Sequence, residues 1–383
     1  MKRPINLALA AVFATLAASF ALSGCASTSG DTFEKPEPNS SSNIAIVYAN
    51  RANSGVALSD INELRDEIKN TVADEGFVAA VLADGKPQVV KANFELESQN
   101  GTRLENEVTG NVDGVLGMDY SAQTEECDLF DAIVSADRAL GSAKNPDRKN
   151  KVYVIDSGIS TAGPVNFSQP ATRNALLDPE SFAKELIDDG YLTTFQNINS
   201  VVWYGLGVAS SPQANPVAGT VAAMQDLYME IFNAAGVEDV TFNSATEAMT
   251  DASGLPAVSV VDMPRVSDKK LGDSLSLDER NSAFTFKSGS SEFNDPEAAK
   301  QGLETYIDQL LDFPDLKVVI TGYTDTKGSE ELNKALSKKR ADAVKNLLVD
   351  SGVTKKQITT VGKGESSKYK TLKQNRRVTI DFK

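Results

Sequence analysis

With 383 residues the chain is longer than one hydrophobic core usually serves, so two domains are expected. A formal charge of −15 argues against nucleic acid or an anionic membrane surface as a partner held by bulk electrostatics. The absence of histidine removes the commonest general base, the Ser/His/Asp and Cys/His arrangements and nearly all catalytic zinc sites.

Lys2 and Arg3 open the chain with positive charge, and an apolar run follows from Leu7 to Leu22. The run is shorter than the roughly 20 residues a membrane-spanning helix needs, and it suits the core of a signal peptide. It ends in Leu22-Ser23-Gly24-Cys25, which resembles the lipobox of bacterial lipoproteins. That resemblance implies a signal peptide over residues 1–24, lipid on Cys25 and a mature chain beginning there. Residues 25–42 are rich in Ser, Thr, Gly, Pro and Glu, lack an apolar period and predict a flexible tether. With Cys25 lipidated, Cys127 has no intrachain partner and is expected as a small core residue.

Residues 43–262 alternate strand and helix signals. Ile44–Ala49 is a short apolar run fit for a buried strand, and Ser59 is placed to cap a helix carrying Ile61, Leu64, Ile68 and Val72. Phe77–Leu82 and Gln88–Glu95 read as a hairpin around Asp84-Gly85. A helix over Asp128–Leu140, a strand over Lys151–Asp156 and a helix from Asp178-Pro179 to Leu186 follow. Val201–Val208 is a strand and Ala222–Ala235 a helix. This alternation predicts an α/β domain with a mostly parallel sheet covered on both faces. Asp156-Ser157-Gly158 and Gly205-Leu206-Gly207 sit at strand ends, and the domain resembles a Rossmann-like or von Willebrand factor type A (VWA) fold. The metal site of the VWA family begins with Asp-x-Ser-x-Ser. Asn50-Arg51-Ala52-Asn53-Ser54 stands there in this chain and lacks the carboxylate a hard cation needs, so no metal is expected. Asp156 reads either as a turn residue before Gly158 or as a ligand at a strand's carboxyl end.

Residues 263–281, polar and containing Pro264 and Gly272, predict a linker, and 282–383 a second domain. From residue 281 onward there are 18 Lys and Arg against 14 Asp and Glu. This balance of +4, set against −15 for the whole, leaves −19 for residues 1–280. Strands are expected at Ala283–Ser288, Leu316–Tyr323, Ile358–Val361 and Arg377–Phe382, with helices at Pro296–Leu311 and Ser329–Ser351. The unit is α+β, in the order β-α-β-α-β-β. In the second helix Arg340 falls on the stripe of Leu332, Leu336, Val344, Leu347 and Leu348, so its guanidinium requires acceptors. Asn333 lies two turns earlier, and Asp325 ends the preceding strand across Thr326-Lys327-Gly328. A purely structural Asp–Arg pair would produce the same pattern.

Thr321-Gly322-Tyr323-Thr324-Asp325, Gly328, Asn333, Leu336-Ser337, Arg340-Ala341, Gly352-Val353, Gly362-Lys363-Gly364-Glu365 and Asn375-Arg376-Arg377-Val378 resemble the OmpA carboxyl-terminal domain family throughout the domain. The resemblance implies non-covalent binding of peptidoglycan through diaminopimelate in its stem peptide. Asp325 would take the ammonium and Arg340 the carboxylate, with Asn333, Thr326, Gly328 and Arg376 around them. Tyr323 replaces the family's usual histidine, and Glu365–Gln374 is shorter than its usual loop. The expectation is a lipid-anchored envelope protein, without catalytic residues, cofactor or nucleic-acid partner, tethering membrane to wall. The outer membrane facing the periplasm is the expected site, with the outer face of the cytoplasmic membrane as the alternative. A second reading makes the middle domain an adaptor for a protein partner.

Overall fold

The computed structural model describes residues 33–145, 147–245, 253–278 and 284–383. The expected signal peptide, the lipobox-like segment with Cys25 and the first part of the expected tether lie outside the described residues. Among those described, no helix is long and apolar enough to cross a membrane.

In the middle domain Asn43–Tyr48 (β1), Phe77–Leu82 (β2), Gln88–Asn93 (β3), Asn150–Ile155 (β4), Ser200–Tyr204 (β5) and Asp239–Asn243 (β6) form one sheet. Its order is β3-β2-β1-β4-β5-β6; every neighbouring pair is parallel except β2–β3. Because side chains alternate along a strand, β1 sends Ile44, Ile46 and Tyr48 to one core and Ala45 and Val47 to the other. Both faces are therefore dry. Asn62–Ala73 (α1) and Gly101–Leu116 (α2) cover the first face. Leu129–Leu140 (α3), the short Pro170–Asn174 (α4), Pro179–Asp188 (α5) and Ala218–Ala234 (α6) lie on the other side, where Trp203 and Phe167 are fully enclosed.

Several local readings hold, and others shift for identifiable reasons. Asp178 caps α5 by accepting from the Ser181 amide, with Pro179 at the first helical position. Ser59 does not cap α1. It lies in a 3-10 turn, donates to Asp60, and the helix begins at Asn62. Helix α2 carries Leu104, Val108, Val112 and Val115 inward, but Gly110 and Gly114 dilute that period in the sequence. Cys127 is buried in the core, and burial pushes its thiol up to about 12 despite Arg51 nearby.

The tether reading covers residues that are held in place. Asp74, at the end of α1, accepts from the Asn39 and Ser41 amides (3.0 Å each), from Ser41 Oγ (2.8 Å) and from Arg148 Nη1 (2.6 Å). Lys35 pairs with Glu75 and the Gly101 amide donates to the Phe33 carbonyl. Residues 33–42 thus lie along the domain as a strap.

The predicted linker also has structure. Gln213 brackets Val261, donating to its carbonyl and accepting from its amide (2.8 Å each). Thr220 of α6 donates to the Pro264 carbonyl (2.7 Å) and accepts from the Val266 amide. Gly219 sits so close to the Val266 carbonyl that a Cβ there would overlap it. On the other side Arg265 is bonded to Asp308 and Asp312, and the buried Gln309 accepts from the Ser267 amide (2.8 Å). Within this segment Ser274–Asp278 forms a strand (β7) whose Leu277 is buried.

The second sheet has the order β7-β10-β8-β9, with Val318–Thr324 as β8, Ile358–Glu365 as β9 and Arg377–Phe382 as β10. Strand β7, rather than the strand expected at Ala283–Ser288, holds the edge beside β10, and among the described residues of that range Phe286 forms an isolated bridge to Phe293. The helix read as Pro296–Leu311 is divided at Gly302 into Pro296–Gln301 (α7) and Glu304–Asp312 (α8). Glu330–Asp350 (α9) lies across β8 and β9, and Leu372–Asn375 (α10) precedes β10. The glycines of the Thr-Gly-Tyr and Gly-Lys-Gly motifs make that packing possible. A Cβ on Gly322 would collide with the Ser337 carbonyl oxygen, and one on Gly362 would sit 2.7 Å from the Lys338 amide nitrogen. Gly322→Ala is therefore expected to cost about 3 kcal/mol in denaturant unfolding, the upper part of the overpacking range, because a backbone oxygen is what must move.

Candidate functional site

The inward side of α9 is not the leucine stripe that simple periodicity suggests. Leu332 is 69% exposed, while Asn333, Ser337, Arg340, Ala341, Val344 and Leu348 are buried. Its amino-terminal half thus presents polar groups to the end of the sheet, and the apolar half begins at Ala341. Ser329 caps the helix by accepting from the Leu332 amide (3.3 Å). Gly328 precedes it at φ 105°, a left-handed conformation that only glycine adopts cheaply.

Asp325 follows β8 and is buried, though Thr326, Lys327 and Gly328 beyond it are exposed. Its Oδ1 accepts from the Lys327 amide (3.0 Å), and its Oδ2 from Arg376 Nη1 (2.6 Å). Sequence spacing offered Arg340 as the partner; the close pair found is with Arg376, brought in by α10. Asn333 braces the loop by donating to the Lys327 carbonyl (3.0 Å) and to Glu365 Oε1 on β9 (2.8 Å). Arg340, 5% exposed, donates from Nε to the Ser290 carbonyl (3.1 Å) and lies 5.0 Å from the Phe286 ring centroid. Phe286 in turn stacks on Phe293. Ser290 and Phe286 were invisible as site residues, since nothing in their spacing links them to α9. Thr324, immediately before Asp325, has a buried hydroxyl with no hydrogen-bond partner among the described residues.

The arginine after Arg376 has a different task. Arg377 is buried with its guanidinium 3.9 Å from the Tyr323 ring centroid and 5.0 Å from that of Tyr369, and it donates to Ser366 Oγ (2.9 Å). Asn375 holds the Ser366–Tyr369 turn, accepting from the Tyr369 amide and donating to its carbonyl. Tyr323, where the resembling family has histidine, therefore forms part of a stacked wall under the loop before β10.

Burial alone would raise the Asp325 carboxyl, but the Lys327 amide and the Arg376 guanidinium outweigh it and hold it below its ordinary value. A carboxyl lowered in the folded state contributes stability that is complete above its unfolded value of about 3.9 and is lost as pH falls through the lower folded value. The stability difference between wild type and Asp325→Asn is thus expected to be flat from neutral pH to about pH 5 and to shrink only below about pH 4. Urea midpoints across that range check it.

Residues 285–378 match the OmpA family. A probable lipoprotein of Escherichia coli, YiaD, is 35% identical over 121 residues, 30% of this chain and 54% of its own. A peptidoglycan-associated lipoprotein of Buchnera aphidicola is 40% identical over 72 residues, covering 17% and 42% of the two chains. The peptidoglycan-binding protein ArfA of Mycobacterium bovis is 47% identical over 62 residues, covering 16% and 19%. A crystal structure of the peptidoglycan-associated lipoprotein from Burkholderia pseudomallei aligns at 28% identity and TM-score 0.23, over 28% of this chain and 89% of that one. This chain spans 18% to 54% of the length of these and the other curated relatives it matches. The polar groups that β8, α9 and α10 bring together therefore lie in an OmpA-family domain, carried behind an α/β domain that the family match does not reach.

Proposed function

We propose that this chain is a lipid-anchored envelope protein that binds peptidoglycan non-covalently and tethers a membrane to the cell wall. The observation that carries the reading is the burial of two oppositely charged side chains, Asp325 after β8 and Arg340 on α9, in a domain of the OmpA family. Relatives named for peptidoglycan binding or association support it. The ligand group is diaminopimelate in the stem peptide, whose side chain ends in an ammonium and a carboxylate on one carbon. Asp325 takes the ammonium and Arg340 the carboxylate, which a guanidinium can bind in two parallel hydrogen bonds. Asn333 and Gly328 fix the loop between them, Thr326 offers its hydroxyl at the rim, and Arg376 borders the Asp325 side. Lipid on Cys25 supplies the other attachment, with the outer membrane facing the periplasm as the location. The test is co-sedimentation of the full chain with purified diaminopimelate-type sacculi, competed by free meso-diaminopimelate. Retention that competitor does not reduce would overturn the assignment of the ligand group.

A second reading concerns the middle domain, whose strand order 3-2-1-4-5-6 places a crevice between the carboxyl ends of β1 and β4. The Arg51 and Asp156 side chains, 8% and 9% exposed, face each other there at 4.0 Å, and Arg51 also donates to the Ala83 carbonyl. A resident guanidinium occupies the neighbourhood where VWA domains hold a metal, which supports a metal-free, VWA-like adaptor for an envelope protein. A photo-crosslinker placed at Ser157 in the full chain tests it: a discrete protein adduct in the envelope is expected, and none would count against it.

A further inference from the structure

The Asp325 carboxylate is the acceptor proposed for the ligand's ammonium, yet each of its oxygens already carries a donor in the fold. The Lys327 amide belongs to the loop and holds Oδ1 at 3.0 Å whatever else binds. The donor on Oδ2 is of another kind: Arg376 Nη1, a charged group at 2.6 Å. Its side chain is 26% exposed against 10% for Asp325, so it reaches the carboxylate from the solvent side. It is held at the backbone by α10, a helix of only four residues, and by the Asn375 turn beside it. An ammonium and this guanidinium seek the same oxygen. Placing both cations on it adds their mutual repulsion, which withdrawal of the guanidinium into water relieves.

We infer that Arg376 is an intramolecular competitor for Asp325, a cationic latch that the amino group of the wall peptide must displace. This deepens the wall-binding reading and rests on it. The two arginines of the pocket then have opposite effects: Arg340 adds affinity through the ligand's carboxylate, while Arg376 subtracts it by occupying the acceptor. Displacement is feasible because an arginine a quarter exposed regains water when it leaves, as a buried one does not. The latch also provides selectivity. A ligand with an ammonium but no neighbouring carboxylate lacks the Arg340 contact to offset the displacement.

The test is the dissociation constant of the full chain for a soluble muropeptide containing meso-diaminopimelate, compared for wild type, Arg376→Gln, Arg376→Lys and Arg340→Gln. Arg376→Gln is expected to bind at least about fivefold more tightly, since a charge-assisted hydrogen bond no longer has to be broken. Arg376→Lys, which keeps a competing cation, is expected to stay within about twofold of wild type, and Arg340→Gln to lose affinity. Thermal melts of each variant show whether the fold survives. Should Arg376→Gln unfold, Arg376→Met, which keeps an aliphatic stem and removes the cation, takes its place with the same expected gain; binding no tighter than wild type overturns the inference. Weaker binding by folded Arg376→Gln would make Arg376 a ligand contact and overturn the latch alone. No binding by wild type would overturn the wall-binding reading as well.

Discussion

Asp325→Ala and Arg340→Ala are each expected to weaken the affinity of the full chain for diaminopimelate-type sacculi by at least about thirtyfold. Removing one partner of a desolvated charge pair costs roughly 2–5 kcal/mol of binding, and each 1.4 kcal/mol is about tenfold. The two variants differ in what they do to the fold. Asp325 shares its carboxylate with Arg376, which is partly in water, so the alanine variant loses only about 1 kcal/mol of stability. Arg340 is buried against the Phe286 ring and the Ser290 carbonyl, and truncating it leaves a void there. Arg340→Lys is the better probe of chemistry: it fills part of the space, retains the charge and loses the planar fork. Full retention by folded Asp325→Ala would remove the carboxylate from the account.

The largest effect on stability is expected far from that pocket. Asp74 and Arg148 form an ion pair at 2.6 Å with side chains 3% and 6% exposed, and Asp74 also accepts three hydrogen bonds from Asn39 and Ser41. Asp74→Ala leaves a buried guanidinium without its carboxylate and releases the strap at residues 33–42. A loss of about 3–5 kcal/mol is expected in urea unfolding of the full chain. Cleavage after Glu34 by a glutamate-specific protease should accelerate in the same variant, because the strap no longer lies on the domain. The double replacement Asp74→Leu with Arg148→Met is expected to recover much of the loss, since matched apolar groups often equal a buried ion pair. An unchanged midpoint in Asp74→Ala would mean that water solvates Arg148 more fully than its burial implies.

The elements readable from the sequence were those whose period is unbroken. The alternate apolar faces of β1, the capped start of α5 and the final strand β10 appear where their patterns place them. Helix α2 was hidden by two glycines with open space around them, and β7 by its shortness, two leucines set among serines inside a polar segment. The strap and the docked segment at 255–273 could not be read at all. Their order comes from single side chains on distant elements, Asp74, Gln213, Thr220 and Gln309, and no local composition reports such contacts. The site shows the same division. Asp325, Asn333 and Arg340 were legible because a buried polar residue interrupts a helical stripe, but periodicity could not say that Leu332 turns outward or that Arg376 reaches Asp325. Spacing along one helix finds residues that share a face. It does not find the partner that a loop fifty residues later brings back.

A site that reads both charges of a zwitterion, Asp325 the ammonium and Arg340 the carboxylate, must discriminate ligands that differ in one of them. Calorimetric titration of the full chain with a muropeptide containing meso-diaminopimelate, against its lysine counterpart, tests that most directly. The two ligands share the amine and differ by one carboxylate. Saturable binding of the diaminopimelate form is expected, with binding of the lysine form at least about tenfold weaker through loss of one charge-assisted contact. Equal affinity for the two, or no heat from either, would contradict it.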